Sequence, residues 1–195
     1  ERAVLLQVAV AWFTFAGAAF GDVTLAANQV LMQFIMITAY ALDGLAFAAE
    51  TLVGQSVGAR APAAVRRAAA LVGQWAAAGA LLLGLAFLLL GPAIIDLLTT
   101  APEVRAAARA FLPWAAIAPV AGVASWLFDG IFTGATLTRE MRLTMTLSFA
   151  IFLAAVLTLP VAIGNHGLWA ALMLLYMARG ASMAALWPRV LRAAA

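Results

Sequence analysis

The chain has 195 residues, of which 67% are hydrophobic and only 10% charged, and its mean hydropathy is +1.07. A soluble domain of this length needs far more charge to cover its surface, so the composition excludes a water-solvated fold and makes lipid the solvent. The net charge of +3 is no nucleic-acid signal, because the basic residues stand singly or in pairs at the ends of apolar runs and form no phosphate-binding stripe.

All 11 basic residues are Arg, which reads as a coding bias, and there is no Cys, which excludes disulfides, thiol catalysis and thiolate metal sites. The first apolar run has no cleavable-signal pattern. Residue 1 is Glu, and an apolar helix begins within a few residues of it, so a fragment of a longer protein is expected.

A hydrocarbon core of roughly 30 Å takes about 20 apolar residues per helix. Six segments qualify, at about 3–20, 24–53, 68–92, 104–136, 143–163 and 167–187. They predict an all-α integral membrane protein, a six-transmembrane-helix bundle making one unit over 1–195. Gly21-Asp22 reads as a tight hairpin in which Asp22 caps the next helix. Gly58 to Pro62 ends the second span, and Pro62 suits the start of a short interfacial helix through Arg66 and Arg67. Gly91-Pro92 and the stretch from Thr99 to Glu103 close the third span. Arg139 to Arg142 separates the fourth from the fifth, and Gly164 to Gly167 the fifth from the sixth.

Arg2, Arg60, Arg66, Arg67, Arg139, Arg142, Arg189 and Arg192 fall on one side of these spans, against Arg105 and Arg109 on the other. That asymmetry is a positive-inside signal placing both termini in the cytoplasm. The second and fourth spans exceed the minimum. About 30 residues make a helix of roughly 45 Å, so these two should tilt, kink or protrude, and Pro113 and Pro119 permit a bend in the fourth.

Asp43 and Glu50 are the only charges between Leu25 and Val53. Ionisable groups at membrane depth are costly and mark function by default. At 100° per residue, Gln29, Met36, Asp43 and Glu50 make one row that drifts by about 20° per step, with Gln33 and Tyr40 beside it. Lipid would reject that face, so it must look into protein or a water-filled cavity. The fourth span repeats the theme. LFDG at 127–130 echoes ALDG at 41–44, and Ser125, Asp129, Thr133 and Thr136 share a face.

Each of these residues also has an ordinary explanation. Glu50 is close enough to the end of its span to reach water or to pair with Arg60 or Arg67. Asp43 and Asp129 lie about ten residues, or roughly 15 Å, from that end, and a structural ion pair is their plain alternative. Arg179, about twelve residues into the last span, is the expected partner of Asp129 or Glu50, with snorkelling to the interface as the competing reading. Trp126, one turn before Asp129, either lines an aromatic substrate wall or packs in the core. Trp12, Trp75, Trp114, Trp169 and Trp187 lie near span ends, as interfacial anchors do. His166 reads as a turn residue.

No HExxH, GxSxG or P-loop pattern appears, so neither an enzyme nor a cofactor is expected. A carboxyl withdrawn from water takes up a proton more readily, whereas a neighbouring guanidinium keeps it ionised. If Asp129 is paired and Asp43 is not, Asp43 becomes the better proton carrier. Sodium, which seeks several oxygens, is the competing ion at Asp43 or Asp129.

The stretch GDVTLAANQVLMQFIMITAYALDGLAFAAETLVGQSVGAR at 21–60 resembles the eighth transmembrane helix of the MATE (multidrug and toxic compound extrusion) family, in its DinF-like branch. LFDGIFTGAT at 127–136 is similar to the tenth helix, and MARGASMAALWPRVL at 177–191 to the twelfth. The resemblance runs through the chain in order as helices seven to twelve. It implies one lobe of a two-lobe, twelve-helix transporter, whose partner is an N-terminal six-helix lobe absent from this sequence. It further implies a multi-pass protein of a bacterial inner membrane that exports drugs or other amphipathic or cationic organic compounds in exchange for H+ or Na+. Asp129 falls where other branches carry a tenth-helix acid implicated in cation coupling. The first span lacks the Glu of those branches, and Asp43 is the residue expected to take over its role. Without the other lobe, this segment should not transport by itself.

Three other readings compete. A lipid-linked oligosaccharide flippase of the same superfamily calls for a more cationic cavity than Arg179 alone supplies. A non-transporting membrane assembly subunit has no need of aligned carboxylates in two long helices. A membrane-embedded enzyme needs converging polar groups, which the motifs do not offer.

Overall fold

A computed structural model of the chain describes residues 2–195, Arg2 by its backbone alone. The described residues form α1 (Arg2–Ala18), α2 (Asp22–Gly58), α3 (Pro62–Leu98), α4 (Pro102–Gly134), α5 (Thr138–Ile163), α6 (Asn165–Ala185) and α7 (Trp187–Ala193). Helices α2 to α6 are each long and apolar enough to cross a membrane, while α1, at 17 residues, is apolar but shorter.

Several boundaries differ from those read in the sequence. The interfacial helix expected over Pro62–Arg67 does not separate from the third span. Pro62 occupies the first turn, where its missing N–H costs nothing, and the Ala- and Leu-rich run behind it offers no stop. The result is one rod of 37 residues, about 55 Å long. Gly91-Pro92 does not end it; Pro92 gives up a single backbone hydrogen bond inside the helix, which runs on to Leu98. Likewise α4 passes through Pro113 and Pro119 unbroken.

The four-residue turn expected at 164–167 shrinks to Gly164, whose φ of 62° and ψ of −142° reverse the chain, and Asn165 already belongs to α6. The sixth span stops at Ala185 rather than at 187, because Pro188 cannot continue it and instead opens α7. Asp22 begins α2 but makes no cap hydrogen bond.

Helix α4 lies at the centre, packed most extensively on α2 and also on α3 and α6, while α5 pairs with α6. Two apolar clusters hold the bundle. One joins Phe13, Phe34, Phe87, Phe152 and Trp169, with edge-to-face pairs Phe13–Trp169 and Phe34–Phe87 at 4.9 Å between ring centroids. The other joins Val53, Val65, Ile131, Phe132, Met183 and Val190.

The α2–α4 contact is close because it is built on glycine. Gly130 and Gly134, four apart on α4, face the backbone carbonyls of Ala46 and Glu50 on α2, and a Cβ at either position would overlap them. Small residues at this spacing let membrane helices approach backbone to backbone.

A second tie is polar. Fully buried Asn28 on α2 exchanges hydrogen bonds of 2.8 and 2.9 Å with Asn165 on α6, and its Oδ1 also accepts from Trp169 Nε1 at 3.0 Å. Trp169 is therefore no interfacial anchor: it is completely buried and held by a side-chain amide. His166 is likewise more than a turn residue, since its Nδ1 accepts from Trp114 Nε1 at 3.0 Å and ties α6 to α4.

Two variants of the full-length protein test this packing by equilibrium unfolding in SDS-containing mixed micelles. Gly134→Ala is expected to cost about 1–3 kcal/mol by overpacking; an unchanged stability would mean that α2 and α4 lie farther apart. Asn28→Ala, which strands the Asn165 amide and the Trp169 N–H, is expected to cost about 2 kcal/mol. A neutral result would show that neither group relies on Asn28.

Candidate functional site

The glycine seam determines where the carboxylates sit. Asp129 immediately precedes Gly130 on α4, and Asp43 lies one turn before Ala46 on α2, so the crossing brings both acids to the same place. Two cavities open there, of about 300 and 200 Å³, and Asp43 and Asp129 border both. Leu6 and Val10 of α1, Met36 of α2, Ser125 and Trp126 of α4, and Tyr176 and Arg179 of α6 line the larger one. The smaller runs along the α2–α4 crossing past Phe47, Glu50 and Thr133.

Arg179 pairs with Asp129, its Nη2 lying 2.5 Å from Oδ1, with side-chain exposures of 6% and 19%. A guanidinium on α6 and a carboxylate on α4 are each untenable at membrane depth without compensation, and each supplies it to the other. Thr133 Oγ1 donates to the Asp129 carbonyl at 2.6 Å, placing its hydroxyl on the wall of the smaller cavity. Above the ion pair, the Trp126 and Tyr176 rings pack with centroids 5.1 Å apart. One wall thus combines an aromatic pair, a thioether, two carboxylates and a cation.

Of the residues singled out in the sequence, Met36, Trp126 and Arg179 line the larger cavity, Glu50 and Thr133 the smaller, and Asp43 and Asp129 border both. Gln29, Gln33 and Tyr40 lie outside. Relative to Asp43 they stand about 40°, 80° and 60° round the helix at 100° per residue, beyond the edge of the cavity wall. Tyr40 is 70% exposed and Gln33 is also exposed, while Gln29 donates to Thr14 Oγ1 of α1 at 3.2 Å. Thr136 has turned out of the row as well, with φ 60° in the loop after α4. Glu50 forms no ion pair with Arg60 or Arg67 and faces the smaller cavity instead.

Sequence reasoning missed Asn28, Tyr176 and the α1 wall. Asn28 carried a signal, since it falls on the same face as Leu31, Ile35 and Leu42, all buried. Leu6 and Val10 carried none, being apolar residues on an apolar helix.

An all-helical membrane bundle with carboxylates gathered between its helices is the architecture of one lobe of a MATE-type transporter. The family model MatE matches residues 3–163, and the chain belongs to that family. DNA damage-inducible protein F of Escherichia coli (strain K12) is 42% identical over 194 residues, a match that takes in 96% of this chain and 41% of that protein. The chain therefore spans about two-fifths of the length of the curated relative it matches.

Arg179→Gln is expected to cost about 3–5 kcal/mol, because it leaves the largely enclosed Asp129 carboxylate without its guanidinium. Arg179→Gln combined with Asp129→Asn should recover most of that loss. A double variant as unstable as the sum of the two single ones, in the same unfolding titration, would show that the pair is not coupled.

Proposed function

We propose that the chain is the C-terminal lobe of a cation-coupled antiporter that exports amphipathic organic compounds by alternating access. Asp43 takes up and releases the coupling cation, H+ or Na+, and the Asp129–Arg179 pair is its fixed neighbour. A six-helix N-terminal lobe completes the central cavity, and the whole resides in a bacterial inner membrane with both ends of this segment on the cytoplasmic side.

The observation that carries this reading is that Asp43 and Asp129 border both cavities at once. A carboxylate at such a junction can meet a cation arriving along the α2–α4 crossing, past Glu50 and Thr133, and an organic cation resting against Trp126, Met36 and Tyr176. Occupancy by one disfavours the other, and exchange follows from that competition. Arg179 holds Asp129 in a salt bridge, which restrains it from releasing and rebinding a cation in each cycle. Asp43, which borders both cavities from the facing helix, is the group to which we assign the change of state. Neutralising it lowers the cost of enclosing the site in a low-dielectric interior, so closure of the lobe over the site is favoured when the cation is bound.

The test is ethidium export from proteoliposomes holding the full-length protein, driven by an imposed H+ or Na+ gradient. Asp43→Asn is expected to reduce gradient-driven export by about 100-fold or more, the lower end of the effect of losing a group that transfers a proton. Membrane insertion should be normal. Gradient-driven export that survives Asp43→Asn at wild-type rate would overturn the assignment.

A further inference from the structure

We propose that the turn joining α2 to α3, together with the outer face of α3, binds an anionic phospholipid. Its phosphodiester would rest on Arg60, Arg66 and Arg67, and an acyl chain would follow Leu71, Trp75 and Leu82.

Two sets of arginines among the described residues contrast with one another. Arg105 and Arg109 converge on Asp96, Arg109 by two bonds of 2.6 and 2.7 Å, and Arg189 reaches Glu140 at 2.8 Å. Those guanidiniums are neutralised within the bundle. Arg60, Arg66 and Arg67 are all exposed and make no ion pair or side-chain hydrogen bond among the described residues. Three positive charges within eight residues thus stand without an acid, beside a shallow open recess of about 720 Å³ that Arg66 and Arg67 border. Arg60 moreover adopts φ 51°, a left-handed position after a helix where glycine is the usual occupant.

The surface below them has the complementary character. Arg67, Leu71, Trp75 and Leu82 follow one another at helical spacing on one face of α3, and Leu71, Trp75 and Leu82 are 53%, 66% and 69% exposed. A guanidinium at headgroup level, an indole one turn or two deeper, and an aliphatic track beneath match the layers of one leaflet. Both zwitterionic and anionic lipids offer a phosphate, but a choline headgroup brings its own cation and cancels the attraction. The uncompensated charge therefore selects a lipid with net negative charge.

The experiment places the full-length protein in nanodiscs of phosphatidylcholine containing increasing fractions of phosphatidylglycerol, with bromine on the acyl chains of one lipid at a time. Quenching that disappears in Trp75→Phe reports lipid on this track. The expected result is that brominated phosphatidylglycerol quenches Trp75 at a mole fraction about tenfold lower than brominated phosphatidylcholine does. The triple variant Arg60→Gln, Arg66→Gln, Arg67→Gln, with helicity checked by circular dichroism, should abolish that preference. Millimolar inorganic phosphate should not. Displacement by free phosphate would overturn the proposal in favour of a simple anion site. Equal quenching by the two lipids, or a preference that survives the triple variant, would overturn it too. Absence of Trp75 quenching by either lipid would show that another part of the protein covers the track.

Discussion

Charge at membrane depth must be neutralised or solvated, and the Asp129–Arg179 pair is where this lobe meets that constraint. The pair joins the central helix α4 to α6 through a contact of 2.5 Å in surroundings that leave Arg179 only 6% exposed. Neither residue is tenable alone, so the register of α6 against α4 is constrained by their meeting. Gly180 beside Arg179 is what lets the two backbones come near enough, since a Cβ there would press on Ala124 and Ser125. Packing and electrostatics act together at this crossing.

The second acid, Asp43, arrives by a different route. It is brought to Asp129 by the absence of side chains at Gly130 and Gly134, which allows α2 to lie against α4 almost backbone to backbone. The repeated Asp-Gly pair in both helices thus has two uses. The glycine on α4 serves the approach, and the aspartates inherit a common location from it. Both cavities open at this crossing, and both carboxylates border each of them.

Away from the site, the bundle is fastened by Asn28, Asn165 and Trp169, a buried and mutually hydrogen-bonded polar group. With partners found for the Asn28 carbonyl, the Asn165 amide and the Trp169 N–H, the arrangement tolerates little sliding of α2 along α6. The outer face of α3 is built in the opposite way, with large aliphatic side chains and arginines that none of the described residues neutralises. One surface specifies a unique packing, and the other suits a fluid neighbour.

Hydropathy alone was sufficient to reveal a membrane bundle, because any run of apolar residues near 20 long has essentially one stable form in lipid. The row of Met36, Asp43 and Glu50 was equally legible, since helical periodicity is local and survives any tertiary arrangement. Helix ends were less so. Pro92 and Pro119 stop a helix in water more readily than in a packed membrane bundle, and α3 and α4 run straight through them. Which partner Arg179 would choose, which edge of the polar row would face the cavities, and that Tyr40 would lie outside them were matters for tertiary structure. Those depend on the rotation of each helix about its own axis, which is decided by the glycine contacts and the buried ion pair between helices far apart in the chain. Composition and periodicity were enough to establish that this protein lives in lipid and carries acids there; bringing two of them to one wall with an arginine took the packing of α2, α4 and α6.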